Sequence, residues 1–202
     1  MSIVFVISAP SGSGKSTLVN RLLAQDPGIR FSISHTTRAP RGHEVQDRDY
    51  HFVSRQDFEA AMARGEFLEC AEVFGNYYGT HQGILEQARA EGRDLLLDID
   101  VQGERQLKAR VPDAVTIFVL APSRDELEQR LRSRSEDSDD VIARRLQGAA
   151  KEIENYGQYD YVLVNRDIEK SVDALASIVK AERLRRARME PEVKRILETF
   201  EK

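Results

Sequence analysis

Short apolar runs recur along the chain and alternate with segments of helical periodicity. The first run, Ile3–Ile7, is continuous and rich in β-branched residues, and similar runs occupy residues 95–97, 115–120 and 161–164. Continuous apolar runs of this length are typical of strands that are buried on both faces of a parallel sheet. Strands that alternate with helices predict a three-layer α/β fold, in which helices cover both faces of one parallel sheet.

Capping signals locate several of the helices. A serine followed three residues later by an acidic residue is typical of a helix start, and this pattern occurs at Ser54 and at Ser123. The predicted helices span residues 54–64, 123–134 and, from Asp167 or Ser171, the stretch to about Met189, with a short peripheral helix after Pro191.

Two stretches interrupt the alternation of strands and helices. Residues 34–80 contain a polar loop, a short helix and the strand-like segment Phe67–Phe74, which is expected to end in a turn at 75–79. We interpret this region as an insertion beside the main sheet. Residues 130–145 combine arginines with an acidic cluster. Because these charges are costly to bury, the segment is expected to be a mobile surface element.

Composition and charge narrow the classes of function. The 202-residue chain is 41% hydrophobic and 32% charged, which suits a single compact domain over residues 1–202. The net charge of -4 gives no general attraction for nucleic acid or an anionic membrane, so a nucleotide site must rely on local positive charge. The single cysteine, Cys70, excludes an intrachain disulfide and favours a reducing, cytoplasmic location. No apolar run approaches the length of a membrane span, and we expect neither a membrane nor nucleic acid as partner.

A glycine-rich segment follows the first predicted strand and opens a helix, which is the context of a phosphate-binding P-loop. Its backbone N–H groups and the helix dipole favour phosphate, Lys15 is expected to reach the β- and γ-phosphates, and Ser16 to bind Mg²⁺. Ala9 stands where the general pattern has its first glycine. The expected ATP-binding residues of this loop are Ala9, Pro10, Ser11, Gly12, Ser13, Gly14, Lys15, Ser16 and Thr17.

Two acidic residues, Asp98 and Asp100, end the apolar strand at residues 95–97. Their spacing of two predicts that both carboxylates lie on one face of that strand. The carboxyl ends of parallel strands are where α/β proteins bind ligands. At least one of the two is therefore expected to serve the site, for example by holding Mg²⁺ through water. The alternative is that both only cap the next helix.

Arginines outside the loop indicate a second phosphate site. Arg38 and Arg41 lie three residues apart, and Tyr50 follows them. Arginine forks match phosphate oxygens in two-point contacts, which is what a phosphoryl acceptor needs. The arginines of the charged segment, at positions 130, 134 and 145, are expected to stabilise the transferring group. The alternative for Arg38 and Arg41 is a solvated surface position.

Four motifs together resemble the guanylate kinase family, and the resemblance extends from Ile3 to about Arg188. They are Ser-Ala-Pro-Ser-Gly-x-Gly-Lys-Ser at 8–16, Ser-x-Thr-Thr-Arg-x-Pro-Arg at 34–41, Gly-Asn-Tyr-Tyr-Gly-Thr at 75–80 and Asp-Ile-Asp-x-Gln-Gly at 98–103. The resemblance implies a P-loop NTPase-type core with the loop at 9–16, a GMP-binding region at about 34–94 and an arginine-rich lid at about 126–148. It also implies transfer of the γ-phosphoryl group of ATP to GMP, with Mg²⁺, in purine nucleotide metabolism, and dGMP as a further acceptor.

The resemblance assigns roles to individual residues. It implies that Ser34, Glu69 and Thr80 read guanine, and that Asn165 lies near the adenine of ATP. The implied GMP-binding residues are Ser34, Arg38, Arg41, Glu44, Tyr50, Glu69, Tyr78, Thr80, Asp98 and Asp100. The implied catalytic residues are Lys15, Arg38, Arg130, Arg134 and Arg145.

Some positions differ from the family pattern. His43 and Asp47 stand where glycines are usual, which leaves the role of Glu44 open, and Arg166 stands where an aspartate is common. Two other functions remain as alternatives. One is another small phosphotransferase on the same scaffold, such as a ribose bisphosphate kinase. The other is a guanylate-kinase-like interaction module without catalysis, against which Lys15, Ser16 and Arg38 argue.

Overall fold

The computed structural model describes residues 2–73, 75–134 and 138–200, and for Arg134 it describes the backbone alone. The strands within these ranges are β1 Val4–Ser8, β2 Ile29–Phe31, β3 His35–Thr36, β4 His51–Phe52, β5 Phe67–Val73, β6 Asn76–His81, β7 Asp94–Asp98, β8 Val115–Leu120 and β9 Tyr161–Val164. The helices are α1 Lys15–Gln25, α2 Arg55–Ala63, α3 Gly83–Ala90, α4 Val101–Arg110, α5 Arg124–Arg134, α6 Asp139–Ile153, α7 Ile168–Arg183 and α8 Arg186–Glu198.

The main sheet has five strands in the order β2-β7-β1-β8-β9, and all of its pairings are parallel. The four apolar runs of the sequence form β1, β7, β8 and β9, as predicted. Strand β1 lies at the centre and is buried along its whole length, which explains its uninterrupted apolar sequence. Its carboxyl end, and that of β7 beside it, therefore open at the same edge of the sheet.

Both faces of the main sheet are covered by helices. On one face, Phe5 and Ile7 of β1 pack in a cluster with Leu22 of α1 and Leu175 of α7. On the other face, residues of β1 and β7 pack against Leu107 of α4 and the side chains of α3. The predicted three-layer α/β fold is confirmed.

The insertion forms a second sheet of four strands in the order β4-β3-β6-β5. Helix α2 precedes β5 and begins at the predicted cap, where the N–H of Asp57 donates to Ser54 Oγ at 3.1 Å. The expected turn at 75–79 is wrong, because residues 76–81 form β6, which pairs antiparallel with β5. Within residues 75–79, only Gly75, with φ of 78°, has turn geometry. Phe74, the predicted end of the strand-like segment, lies outside the described residues.

Helices α5 and α6 form the region expected to be the lid. Helix α5 begins at the predicted capping box, where the N–H of Glu126 donates to Ser123 Oγ at 3.2 Å. Leu127 and Leu131 of α5 pack against Leu146 and other apolar residues of α6. Residues 135–137 lie outside the described residues, Asp139 and Asp140 of the acidic cluster open α6, and the mobility of the segment at 130–145 stays a prediction.

The last long helix is shorter than predicted. Helix α7 ends at Arg183, and a separate helix, α8, starts at Arg186 and contains Pro191 in its interior. The break is stabilised by Glu182, which is 1% exposed and accepts a 2.6 Å hydrogen bond from the Tyr161 hydroxyl. Arg188 folds back onto this carboxylate and donates to the Glu182 carbonyl at 2.8 Å, so that it caps the end of α7. In the described part of the chain, no helix is long and apolar enough to cross a membrane.

Candidate active site

The phosphate loop connects the central strand to the first helix. Gly12 and Gly14 both have φ of 91°, a backbone conformation that favours glycine. A Cβ atom at Gly14 would lie 2.4 Å from Asn165 Nδ2. This amide is 4% exposed and donates to the Ser13 carbonyl at 2.9 Å. Asn165 therefore supports the loop from behind, a role that the sequence did not reveal.

A cavity of about 430 Å³ lies between the phosphate loop and the small sheet. Every loop residue from Ala9 to Ser16 lines it. The other predicted site residues that line it are Ser34, Tyr50, Glu69, Tyr78, Asp98 and Asp100. Residues that are far apart in the sequence thus meet in one space, which is large enough for the reacting ends of two small molecules.

The two aspartates after the β7 run have different positions. Asp98 is the last residue of β7, and its carboxylate forms an ion pair with the Lys15 ammonium group. Asp100 lies beyond the strand, so the prediction that both share one strand face is wrong. It is the N-cap of α4, where its Oδ1 accepts from the Gly103 N–H at 2.8 Å. Asp100 is therefore both a helix cap and part of the cavity wall.

Glu69 is a buried carboxylate on the wall opposite the loop. It is 4% exposed, and burial raises its pKa to about 7, with the Asp100 carboxylate adding to the increase. Thr80 is fully buried, pairs with Glu69 across β5 and β6, and opposes part of this increase in pKa by hydrogen bonding to the carboxylate. A Cβ atom at Gly103 would lie 2.5 Å from Glu69 Oε2. The carboxylate thus packs directly on the glycine of α4.

Helix α4 also fixes the strand that carries Glu69. The side chain of Gln106 accepts from the Cys70 N–H at 3.1 Å and donates to the Cys70 carbonyl at 2.8 Å. The amide group thereby continues the hydrogen bonding of β5 at its edge. This contact connects the small sheet to the core next to the cavity.

Arg38 is held in place by contacts within the protein. It is 9% exposed, and its guanidinium donates to Glu44 Oε1 at 2.9 Å, to the Ala39 carbonyl at 2.7 Å and to the Tyr78 hydroxyl at 3.2 Å. The hydrogen bond to Glu44 raises the pKa of Arg38 and lowers that of Glu44, so both stay charged. The Tyr50 ring lies 5.3 Å from the guanidinium carbon.

Arg41 differs from Arg38 in its exposure. Its side chain is exposed, and its backbone N–H donates to Glu44 Oε2 at 2.8 Å. Glu44 therefore organises the loop that carries both arginines, although the sequence left its role open. Asp47, which replaces a glycine of the family pattern, has φ of 64° and accepts from His51.

Two of the three arginines predicted to act in the lid contact the phosphate loop. Arg130 donates to the Ser13 carbonyl at 3.4 Å and to the Asn165 carbonyl at 3.1 Å. Arg145 donates to Ser11 Oγ at 2.6 Å. The side chain of Arg134, the third predicted lid arginine, lies outside the described part of the structure.

A smaller cavity of about 250 Å³ lies on the other side of the loop. Its walls include Gly12, Gly14, Thr17, Arg130 and Asn165. Thr17 and Asn165 thus do not line the cavity of about 430 Å³, called the main cavity below, although both were predicted to bind the same nucleotide as Lys15. A long ligand that crosses the loop would reach both cavities.

Several residues of the main cavity were missed by sequence reasoning, namely Ala71, Val73, Ile99 and Glu152. Glu152 is the charged one among them and belongs to α6. Burial raises its pKa to about 7, the Lys15 ammonium opposes this increase, and the Asp100 carboxylate adds to it. Nothing in the local sequence distinguishes Glu152 from the exposed charges around it on the same helix.

The oxygen atoms of the cavity suit a magnesium ion that is bound mainly by substrate. Ser16 and the two aspartates supply hydroxyl and carboxylate oxygens, which are the ligands that Mg²⁺ prefers. Among the described residues, no group of three or more His, Cys, Asp or Glu side chains is arranged to hold a metal.

The comparison with known proteins gives one consistent family. A family model described as Guanylate kinase matches residues 1–182. The guanylate kinase of Koribacter versatilis is 56% identical over 203 aligned residues, which cover 98% of this chain and 87% of that protein. That of Aromatoleum aromaticum is 53% identical, with 91% of this chain and 90% of that protein covered. The crystal structure of guanylate kinase from Anaplasma phagocytophilum superposes with a TM-score of 0.77 at 38% identity, over 93% of this chain and 89% of that chain. The chain therefore belongs to the guanylate kinase family of phosphotransferases.

Proposed function

We propose that this protein performs its family's reaction, transfer of the γ-phosphoryl group of ATP to GMP, by direct in-line displacement in the cavity of about 430 Å³. The observation that carries the proposal is that this one cavity joins the phosphate loop to Glu69, Tyr50 and Tyr78 on the small sheet. The acceptor is a phosphate oxygen of GMP, which is already anionic at neutral pH, so that no general base is required. Catalysis then consists of positioning and charge neutralisation.

Guanine binds at the Glu69 end of the cavity in this proposal. Its N1–H and N2 amine are adjacent donors, and a carboxylate accepts from both. Ser34, which lines the cavity, and Thr80, which lies beside Glu69, are assigned to donate to O6 or N7. A buried carboxylate is costly without hydrogen bonds, so a ligand that donates to Glu69 is favoured.

The GMP phosphate binds beside Arg38 and the two cavity tyrosines. The contacts of Arg38 with Glu44 and Tyr78 orient the guanidinium before substrate arrives, which reduces the entropy lost on binding. Arg41, with its exposed side chain, closes onto the phosphate from the solvent side. This arrangement supports the assignment of a second phosphate site apart from the loop.

ATP binds across the phosphate loop. Its phosphates lie against the loop N–H groups and Lys15, and its adenine occupies the smaller cavity beside Asn165 and Arg130. Lys15 must leave Asp98 to reach the β- and γ-phosphates. Arg130 and Arg145, which already contact the loop, are expected to stabilise the charge on the transferring group, and Arg134 is assigned the same role.

Magnesium supplies charge neutralisation for the phosphates when it is bound. We assign Ser16 and Asp98 to its shell, Asp98 through water, because Asp98 becomes free when Lys15 turns to the phosphates. Asp100 is assigned to the GMP side, since its charge acts on Glu69. Asp98 is thus assigned to Mg²⁺ and Asp100 to GMP, a choice that the sequence left open.

A coupled assay of ADP formation tests the proposal. Wild-type protein with ATP and Mg²⁺ should turn over GMP and should reject AMP and CMP. Lys15→Met should keep the thermal transition of the wild type and lose at least about 10³-fold in kcat, because the phosphate charge is no longer neutralised. Turnover by Lys15→Met at the wild-type rate would refute the assignment of the loop.

A further inference from the structure

Two side chains on one face of helix α6 lie at the candidate active site. Arg145 donates to Ser11 Oγ of the phosphate loop at 2.6 Å. Glu152, seven residues later, lines the main cavity. Residues seven apart are two helical turns apart, so both side chains lie on the same face of α6. Gly148 falls between them on that face, and a Cβ atom there would meet nothing within 4 Å.

This face of α6 places one positive side chain, Arg145, and one acidic side chain, Glu152, at the site. The positive end, at Arg145, suits phosphate directly. The negative end is a half-buried carboxylate that acts electrostatically on Lys15 and Asp100. When two nucleotides bring their phosphates into the cavity, an uncompensated carboxylate at this point would repel them. A cation facing Glu152 would keep its carboxylate charged beside the phosphates, and Lys15 is the lysine that lines the same cavity.

We propose that Glu152 is a positioning residue that holds the Lys15 ammonium group from the side of α6. The inference rests on the proposed role of Lys15 in phosphate binding. In the structure Lys15 pairs with Asp98, and both residues line the cavity. As Lys15 turns toward the phosphates it leaves Asp98, and Glu152 then keeps the ammonium in line with the transferring group. The pair also links the position of α6 to that of the phosphate loop.

The first test separates charge from shape. Glu152→Gln keeps the shape and removes the charge, whereas Glu152→Asp keeps the charge and shortens the side chain. We expect Glu152→Gln to lower kcat about tenfold with the KM for GMP changed by less than about threefold, and Glu152→Asp to retain more kcat than Glu152→Gln. Glu154→Gln, an exposed position on the same helix end, is the matched control and should behave as wild type. A higher kcat for Glu152→Gln than for Glu152→Asp would mean a packing role and would overturn the proposal.

The second test asks whether Glu152 acts through Lys15. Single-turnover rates are measured for wild type, Glu152→Gln, Lys15→Met and the double variant, with thermal melting as the check on folding. Glu152→Gln should cost about tenfold in the wild-type background and less than about twofold in the Lys15→Met background, because its partner is then absent. Equal losses in both backgrounds would overturn the inference. A Lys15→Met protein with wild-type activity would instead refute the proposed function, so the two failures are distinguishable.

Discussion

The replacement of Glu69 by glutamine tests how this protein chooses its base. Glu69 is 4% exposed and packs on the backbone of Gly103, so glutamine of the same shape should leave the fold intact. The change removes one acceptor oxygen and places an NH₂ group against a guanine donor. We therefore expect Glu69→Gln to lose GMP activity and to lose its preference for GMP over AMP.

The size of the effect follows from the hydrogen bonds at stake. A hydrogen bond to a charged group contributes about 1.5–3 kcal/mol. Two such bonds from guanine would contribute about 3–6 kcal/mol, and a tenfold change corresponds to about 1.4 kcal/mol. Since glutamine retains one acceptor but opposes the second donor, we expect kcat/KM for GMP to fall about 10²- to 10⁴-fold.

The assay is the measurement of kcat/KM for GMP and AMP in wild type and variant. Glu72→Gln serves as the control, because Glu72 lies on the same strand with an exposed side chain and does not line the cavity. Glu72→Gln should keep both the activity and the GMP preference. If Glu69→Gln keeps the wild-type ratio of GMP to AMP activity, guanine is bound elsewhere and the assignment of the cavity end is wrong.

The pH dependence of GMP binding gives a second measurement on the same group. Burial raises the pKa of Glu69 to about 7 in the free protein, and guanine requires the carboxylate form. GMP affinity should therefore be full above this pKa and should weaken as the pH falls through it, by up to about tenfold per pH unit. The GMP phosphate itself titrates near pH 6, so the contribution of Glu69 is the difference from the Glu69→Gln profile. Identical profiles for the two proteins would contradict the raised pKa.

Three further substitutions test other parts of the structure. Gly103→Ala places a methyl group against Glu69, with Cβ 2.5 Å from its Oε2. This change should lower kcat/KM for GMP at least about tenfold with little loss of stability. An unchanged GMP preference would contradict this contact. Arg145→Ala should lower kcat about 10²-fold with a smaller change in the KM for GMP, and an effect confined to KM would mean ground-state binding alone. Arg183→Ala removes a 2.7 Å partner from the buried carboxylate of Asp94 and should cost about 1–3 kcal/mol of unfolding free energy, which lowers Tm by about 2–12 °C. An unchanged Tm would refute a stabilising role.

The phosphate loop and the main sheet could be predicted from the sequence because their determinants are contiguous. The loop needs a strand, two glycines, a Lys-Ser pair and a helix, and all of these lie within residues 3–25. The buried strands are visible because both of their faces must be apolar, and the caps at Ser54 and Ser123 because they act over three residues. Interactions of this kind are local, so a single stretch of sequence contains them in full.

Local sequence signals did not predict the structure where a contact between distant residues determines the path of the backbone. The end of α7 depends on Arg188, which reaches back to Glu182, and Tyr161 from another element supports the same carboxylate. The helical periodicity continues through this point, which is why one long helix was predicted. Residues 76–81 likewise have turn-like composition, and they form a strand because β5 supplies the pairing partner.

Most residues of the cavity were predicted from the sequence, but the tertiary structure decided which of them touch and what surrounds each one. Asp100 and Gly103 belong to one family motif, and the resemblance implies a role for Glu69, but only the packing of α4 on β5 brings the glycine against the carboxylate and raises its pKa. Glu152 carries no sequence signal at all, since charged residues surround it on α6, and its role follows from the packing of α6 over the phosphate loop. Burial and charge environment are properties of the space that several elements enclose, and no single segment of the chain contains that information.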